Sequence, residues 1–204
     1  MVTTPAIPKT KNLKIELPHE LKLHVSLEQF AALAVANRDL RLERTATGEL
    51  IVNPPTGWET GNRNIKISGE LYLWWRDAGK PGKIFDSSTG FTLPNGAIRS
   101  PDAAWISDEQ WQSLTEEQKV TFPHVCPDFV VELRSNSDTL KSLQEKMVEY
   151  VENGARLGWL INPQQGQVEV YQPGLSVEVL DNPMELSGGE VLPGFTLDLS
   201  LVWG

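Results

Sequence analysis

DFVVELRSNSD, residues 128–138, opens as a buried strand and closes as a turn. Phe129, Val130 and Val131 form an apolar, β-favouring run directly after Pro127 and Asp128, and SNSD supplies turn residues. Side chains alternate along a strand, so Phe129, Val131 and Leu133 share one face and Val130, Glu132 and Arg134 the other. Glu132 and Arg134 then lie about 7 Å apart along the strand and point the same way. A carboxylate buried without a partner costs on the order of several kcal/mol, so this strand needs company for Glu132.

The segments after it supply the company. Ser137 or Asp138 caps a helix over TLKSLQEKMVEYVENG that stops at Gly154. Its apolar stripe is Leu143, Met147, Tyr150 and Val151, and Lys146 borders that stripe, placed to reach past the sheet edge toward Glu132. LGWLIN is a further buried strand, QVEVYQP and LSVEVLD follow as strands, and GGEVLPGFTLDLSLVW closes the chain. On the other side, SPDAAWIS reads as a strand in which Asp102 alternates with Ala104 and Ile106, and the small Ala103 and Ala104 leave room beside the carboxylate. If the two strands are neighbours, Asp102 and Glu132 converge.

Farther upstream, SLEQFAALAVAN carries a capping box, Ser26 with Gln29, and predicts a short helix. LRLERTATGELIVNPP predicts a hairpin around TATG, with Leu40, Leu42 and Ile51 in its strands. Asn64, Ile67, Leu71, Trp74, Trp75 and Ala78 recur at helical spacing and predict a helix over about residues 62–78, ended near Gly79. KIFDSSTGFTLP and RSPDAAWIS predict a second hairpin turned at Asn95-Gly96, and SDEQWQSLTEEQ a small helix capped by Ser107 or Asp108. The order of elements predicts a mixed α/β or α+β fold, a central sheet flanked by helices with extra hairpins.

Composition bounds the function. The chain has 204 residues, enough for one domain over residues 25–204 preceded by a proline-containing arm over 1–24. A single cysteine, Cys126, excludes an intrachain disulfide framework. With no apolar run long enough to span a bilayer and no secretory h-region, the reading is a cytoplasmic protein with no membrane partner. The net charge of −9 lacks the overall basic balance usual in nucleic-acid binders, although a local basic groove survives in acidic proteins. No Walker loop, dinucleotide glycine motif, Gly-x-Ser-x-Gly or His-x-x-x-His pair is present.

Each candidate also has an ordinary explanation. A strand glutamate is commonly on an exposed or edge face, Asp102 after Pro101 can form a turn, Lys146 can snorkel, and Asp138 can simply cap a helix. The combination is more informative. Ser100-Pro101-Asp102, then Glu132 to Ser135, Lys146 to Tyr150 and Asn162-Pro163 resemble the PD-(D/E)XK nuclease superfamily, more closely a bacterial family of putative restriction endonucleases expanded in cyanobacteria. The resemblance runs from about residue 25 to 200, and PPTG and FDSSTGFTLPNGAIRSPD fit it too.

The resemblance implies a restriction-endonuclease-like core and metal-assisted hydrolysis of DNA. It implies Asp102, Glu132 and the backbone carbonyl of Leu133 as ligands of Mg²⁺ or Mn²⁺. The superfamily's lysine two residues after the Glu is replaced here by Arg134, which holds phosphate but does not easily exchange a proton. Lys146 on the following helix is the natural substitute. An additional acid from the first core helix is left open between Glu59 and Glu70, with Asn64 as a further polar neighbour. A homodimer fits, because a small groove on an acidic domain offers little surface for DNA. Two rivals stand beside the nuclease reading. One is an inactive nuclease fold kept as a binding or assembly module, favoured by the acidic balance and Arg134. The other is a carbohydrate-active protein suggested by seven tryptophans and paired carboxylates.

Overall fold

The computed structural model describes residues 22–119 and 124–203. Most of the expected N-terminal arm, residues 1–21, therefore lies outside the described residues. Residues 22–24 do not hang free: Leu23 accepts a hydrogen bond from the Leu50 amide and His24 forms a bridge with Glu49.

The first helix, α1 (Leu27–Ala36), carries both bonds of the Ser26–Gln29 capping box. The hairpin follows as β1 (Arg41–Arg44) and β2 (Leu50–Asn53). Helix α2 spans Trp58–Asp77 and starts four residues earlier than its apolar stripe indicates, right after the extended N-cap Gly57. Its inward side buries Ile67 and Leu71.

The predicted second hairpin is split between two sheets. Strands β3 (Lys83–Asp86) and β6 (Ala103–Ile106) pair as its outer part. Strands β4 (Phe91–Thr92) and β5 (Ile98–Arg99) form an inner hairpin that joins β1 and β2 in a separate four-stranded sheet of order β2-β1-β5-β4. Its turn uses Gly96 at φ 85°, while the Asn95 side chain accepts from the Ala97 amide. Helix α3 (Asp108–Ser113) is capped by Ser107, and α4 (Glu116–Lys119) follows separately.

The six-stranded central sheet has the order β10-β9-β8-β7-β6-β3. Strand β7 (Phe129–Leu133) leads through α5 (Leu140–Glu152) to β8 (Leu157–Asn162), which runs parallel to it. Strands β9 (Gln167–Tyr171) and β10 (Glu178–Asp181) complete the sheet as an antiparallel meander. Short strands β11 (Glu185–Ser187) and β12 (Thr196–Asp198) pair with each other, and α6 (Ser200–Trp203) follows, in a segment for which the sequence reading assigned no element. The fold class is therefore the expected one, a mixed sheet flanked by helices with added hairpins.

The alternation along β7 divides the core. Phe129, Val131 and Leu133 pack on the side of α2, β11–β12 and α6, with Trp159 and Phe195. Val130 packs on the side of α5, with Leu143, Met147 and Tyr150. A Cβ on Gly158 in β8 would stand 2.5 Å from the Met147 terminal methyl, so any larger residue there makes the Met147 side chain shift. Cys126 is buried below α5, its thiol donating to the Tyr150 carbonyl at 3.3 Å and pushed up to about 12 by burial. A thiol-exchange reagent at pH 8 is expected to find far less than one reactive thiol per native chain and one after unfolding in guanidinium; full reaction of the native chain would show that this packing opens readily. No helix among the described residues is long and apolar enough to cross a membrane.

Candidate functional site

Strands β6 and β7 are hydrogen-bonded neighbours, with Ala103 opposite Val131, so Asp102 and Glu132 arrive at the same end of the sheet. Asp102 stands just before β6. Its Oδ2 accepts from the Leu133 amide at 2.9 Å, its Oδ1 from the Asn64 side chain at 3.2 Å, and Arg41 approaches Oδ1 at 3.8 Å. Glu132 is buried, and its Oε1 meets Lys146 Nζ at 2.8 Å and accepts from the Tyr150 hydroxyl at 3.0 Å. Both carboxylates, with Leu133 and Lys146, line a cavity of about 700 Å³.

The structure adds an acid to this cluster. Glu43 of β1 is buried, and its Oε1 meets Lys146 Nζ at 2.9 Å and accepts from the Ser100 amide at 3.2 Å. Its Oε2 lies 3.3 Å from Arg99, which also pairs with Glu149 at 2.6 Å. Lys146 therefore bridges two carboxylates from different sheets. The sequence signal for Glu43 is its alternation with Arg41 in RLER: these two share a face, and both line the cavity.

Other expected residues are placed elsewhere. Glu59 is 70% exposed and pairs with Arg63, and Glu70 lines a smaller cleft beside Trp74, Asp77 and Phe195, so neither of these two acids lines the main cavity. From α2 it is Asn64 that reaches Asp102, while Thr60 lines the cavity. Arg134 does not accompany Glu132 into the cavity. Strand β7 ends at Leu133, and the Arg134 side chain turns to the Asn162 side chain and the Asp138 carbonyl, both at 3.4 Å. Asp138 is not the helix cap: Thr139 caps α5, while the Asp138 carboxylate accepts from the Ser135 amide and hydroxyl.

Burial and charge set the protonation states. Burial pushes Glu132 up to about 7, with repulsion from Asp102 and Glu43 adding to it and Lys146 opposing. Burial also raises Asp102, against the Leu133 amide, Lys146 and Arg41. Burial pushes Glu43 upward too, but the charges of Lys146 and Arg99, with hydrogen bonds from Lys146 and the Ser100 amide, outweigh it and hold Glu43 below the usual carboxylate value. For Lys146, burial favours the neutral amine and is outweighed by Glu132 and Glu43, so it stays an ammonium well above the ordinary lysine range. Such a lysine supplies charge and donors and cannot serve as a base at neutral pH. Two of its three protons are directed at Glu43 and Glu132, which leaves one for a substrate oxygen or a water.

No group of three His, Cys, Asp or Glu side chains among the described residues could hold a metal. The site fits the smaller demand of a hard cation that takes one or two carboxylates and completes its shell with carbonyl, water and phosphate oxygens. One observation points that way: Asn64 Oδ1, beside Asp102, is a buried acceptor without a hydrogen-bond partner among the described residues, as a water on such a cation would require.

A family model described as a putative restriction endonuclease matches residues 27–200. Among solved structures, a putative nuclease of the DUF820 family from Anabaena variabilis superposes with a TM-score of 0.72 at 17% identity, over 88% of this chain and 97% of that one. No curated protein sequence matches the chain.

Proposed function

We propose, from the premise that this chain belongs to the Uma2 family of putative restriction endonucleases, that it is a metal-dependent endonuclease hydrolysing DNA phosphodiester bonds. The observation that carries the reading is the meeting of Asp102 and Glu132 beside a permanently charged Lys146 at the carboxyl end of β7. Asp102, Glu132 and the Leu133 carbonyl would hold Mg²⁺ or Mn²⁺. When bound, the ion polarises a phosphate oxygen and lowers the pKa of its water.

The remaining roles belong to the chain. Glu43 and Glu132 fix the Lys146 ammonium, whose free proton stabilises charge developing on the phosphate. Arg41 stands beside Asp102 as a second cation for the substrate, and Asn64 Oδ1 accepts from a water next to the same carboxylate. Arg134 lies outside this arrangement, so the lysine of α5 replaces the usual lysine of the strand. We read the protein as acting in the cytoplasm and as a homodimer on DNA.

The test is nicking of supercoiled plasmid in Mg²⁺ and in Mn²⁺ between pH 5.5 and 8.5. The sign follows from Glu132: below about 7 a proton competes with the ion for its carboxylate, so cleavage rises with pH through that range and levels off above it. In the apo protein the same group acts oppositely on stability. Its folded pKa is raised above the ordinary glutamate value, so its contribution is present at acidic pH and lost as pH rises through about 7. No cleavage in either metal, together with no metal-dependent shift in melting temperature at pH 8, would reject the nuclease reading in favour of a binding module.

A further inference from the structure

Helix α2 buries one side only. Ile67 and Leu71 enter the core, and Thr60 and Asn64 face the cavity cluster. At 3.6 residues per turn, the opposite side presents Trp58, Gly61, Asn62, Ile65, Gly69, Tyr72, Leu73 and Arg76 in one stripe roughly 27 Å long. Trp58 is 97% exposed, Ile65 68%, Tyr72 48% and Leu73 40%. A Cβ added at Gly69 would meet nothing within 4 Å. In a chain of net charge −9, the only charge on this stripe is Arg76, whose guanidinium edge pairs with Asp77 at 2.7 and 3.0 Å and whose planar face stays free for a ring. Exposed apolar residues scattered singly need no explanation, but four along one helix face do.

We propose that this stripe is a self-association surface, on which α2 pairs antiparallel with α2 of a second copy about a two-fold axis level with residue 67. In that register, position k stands opposite position 134 minus k of the other copy. Ile65 then meets Gly69, Leu73 meets Gly61, Tyr72 meets Asn62 and Trp58 meets Arg76, and symmetry makes every contact twice. Large side chains face glycines, and the stripe's single cation faces its most exposed aromatic ring. The antiparallel arrangement also sets helix dipoles head to tail.

This pairing of size and charge exists between two copies of this helix. A membrane surface would favour free basic flanks, whereas Glu59, Glu70 and Asp77 border the stripe and Lys66 beside them is drawn back to the Leu201 carbonyl at 2.9 Å. The exposed parts of the four apolar side chains amount to roughly 500 Å² per copy, on the order of 1,000 Å² over both, which is where specific interfaces begin. The inference names the surface for a dimer and is independent of the chemistry in the cavity, because its readout is mass and not cleavage.

Sedimentation equilibrium of the full chain from about 1 to about 200 µM is expected to show a monomer–dimer equilibrium in the micromolar range. Ile65→Glu and Trp58→Glu should each weaken it at least about tenfold while leaving the circular-dichroism melt in place, since neither side chain is in the core. Register is tested by oxidation: a mixture of Ile65→Cys and Gly69→Cys chains should cross-link more than either variant alone. A chain monomeric at the highest concentration overturns the proposal. A dimer untouched by Ile65→Glu, or stronger cross-linking by Ile65→Cys alone than by the mixture, overturns it as well.

Discussion

Glu132→Gln is expected to lower metal-dependent cleavage by at least about a thousandfold, on the order of 4 kcal/mol of transition-state stabilisation, and to raise the melting temperature at pH 8. The two effects have one origin. A glutamine has the shape of the protonated acid and still accepts hydrogen bonds from Lys146 and Tyr150, but it brings no charge to a cation. The ionised carboxylate is disfavoured in the folded chain, as its pKa of about 7 records, so at pH 8 the neutral isostere is the more stable occupant by up to about 3 kcal/mol. At pH 5.5, where wild-type Glu132 is itself protonated, the stability gain should vanish. Initial nicking rates and thermal melts at the two pH values check both halves. A variant that cleaves at the wild-type rate would remove Glu132 from the chemistry, and one that melts lower at pH 8 would show that the Lys146 pair outweighs burial. Asp102→Asn should lose activity to a similar degree, because Asp102 also receives the Leu133 amide and shares the cavity.

The half of this site that lies within one βαβ segment was readable from the chain. Apolar neighbours at period 2 placed Glu132 on the α5 face of β7, and helical spacing placed Lys146 beside it, a separation of fourteen residues in a fixed crossover. Asp102 was readable because its strand pairs directly with β7. Glu43 was not, since its bond to Lys146 spans 103 residues and depends on how a second sheet docks on the first. No periodicity encodes that docking. The same second sheet explains the split hairpin: the turn at Asn95-Gly96 was plain, but where β4 and β5 leave β3 and β6 is decided by tertiary pairing with β1. Arg134 failed for a local reason. Alternation holds only while the strand lasts, and β7 stops one residue before it. The acid expected from α2 failed because Glu59 and Glu70 sit off the helix side that carries Asn64 toward Asp102.

Lys146→Ala should destabilise the fold more than any other single change at this site. The ammonium lies within 2.9 Å of Glu43 and within 2.8 Å of Glu132, and both carboxylates are buried. Without it two negative groups face each other with Arg99 as the remaining close cation on the Glu43 side. Removing one partner of a buried ion pair typically costs 3–5 kcal/mol, about 10 °C in melting temperature for a chain of this size. The deficit should depend on pH in a defined direction. With the cation gone, both carboxylates take up protons more readily in the folded chain, so the variant loses stability as pH rises from 5 to 8. Lys146→Met with Glu43→Gln should recover much of the loss without recovering cleavage, because it removes the orphaned charge and not the need for an ammonium. A Lys146→Ala chain that melts with the wild type at pH 8 would mean that water solvates this cluster and that Glu43 does not hold the lysine in place. Loss of stability relieved at pH 5, with cleavage absent at every pH, is the result that ties the buried network to the chemistry it supports.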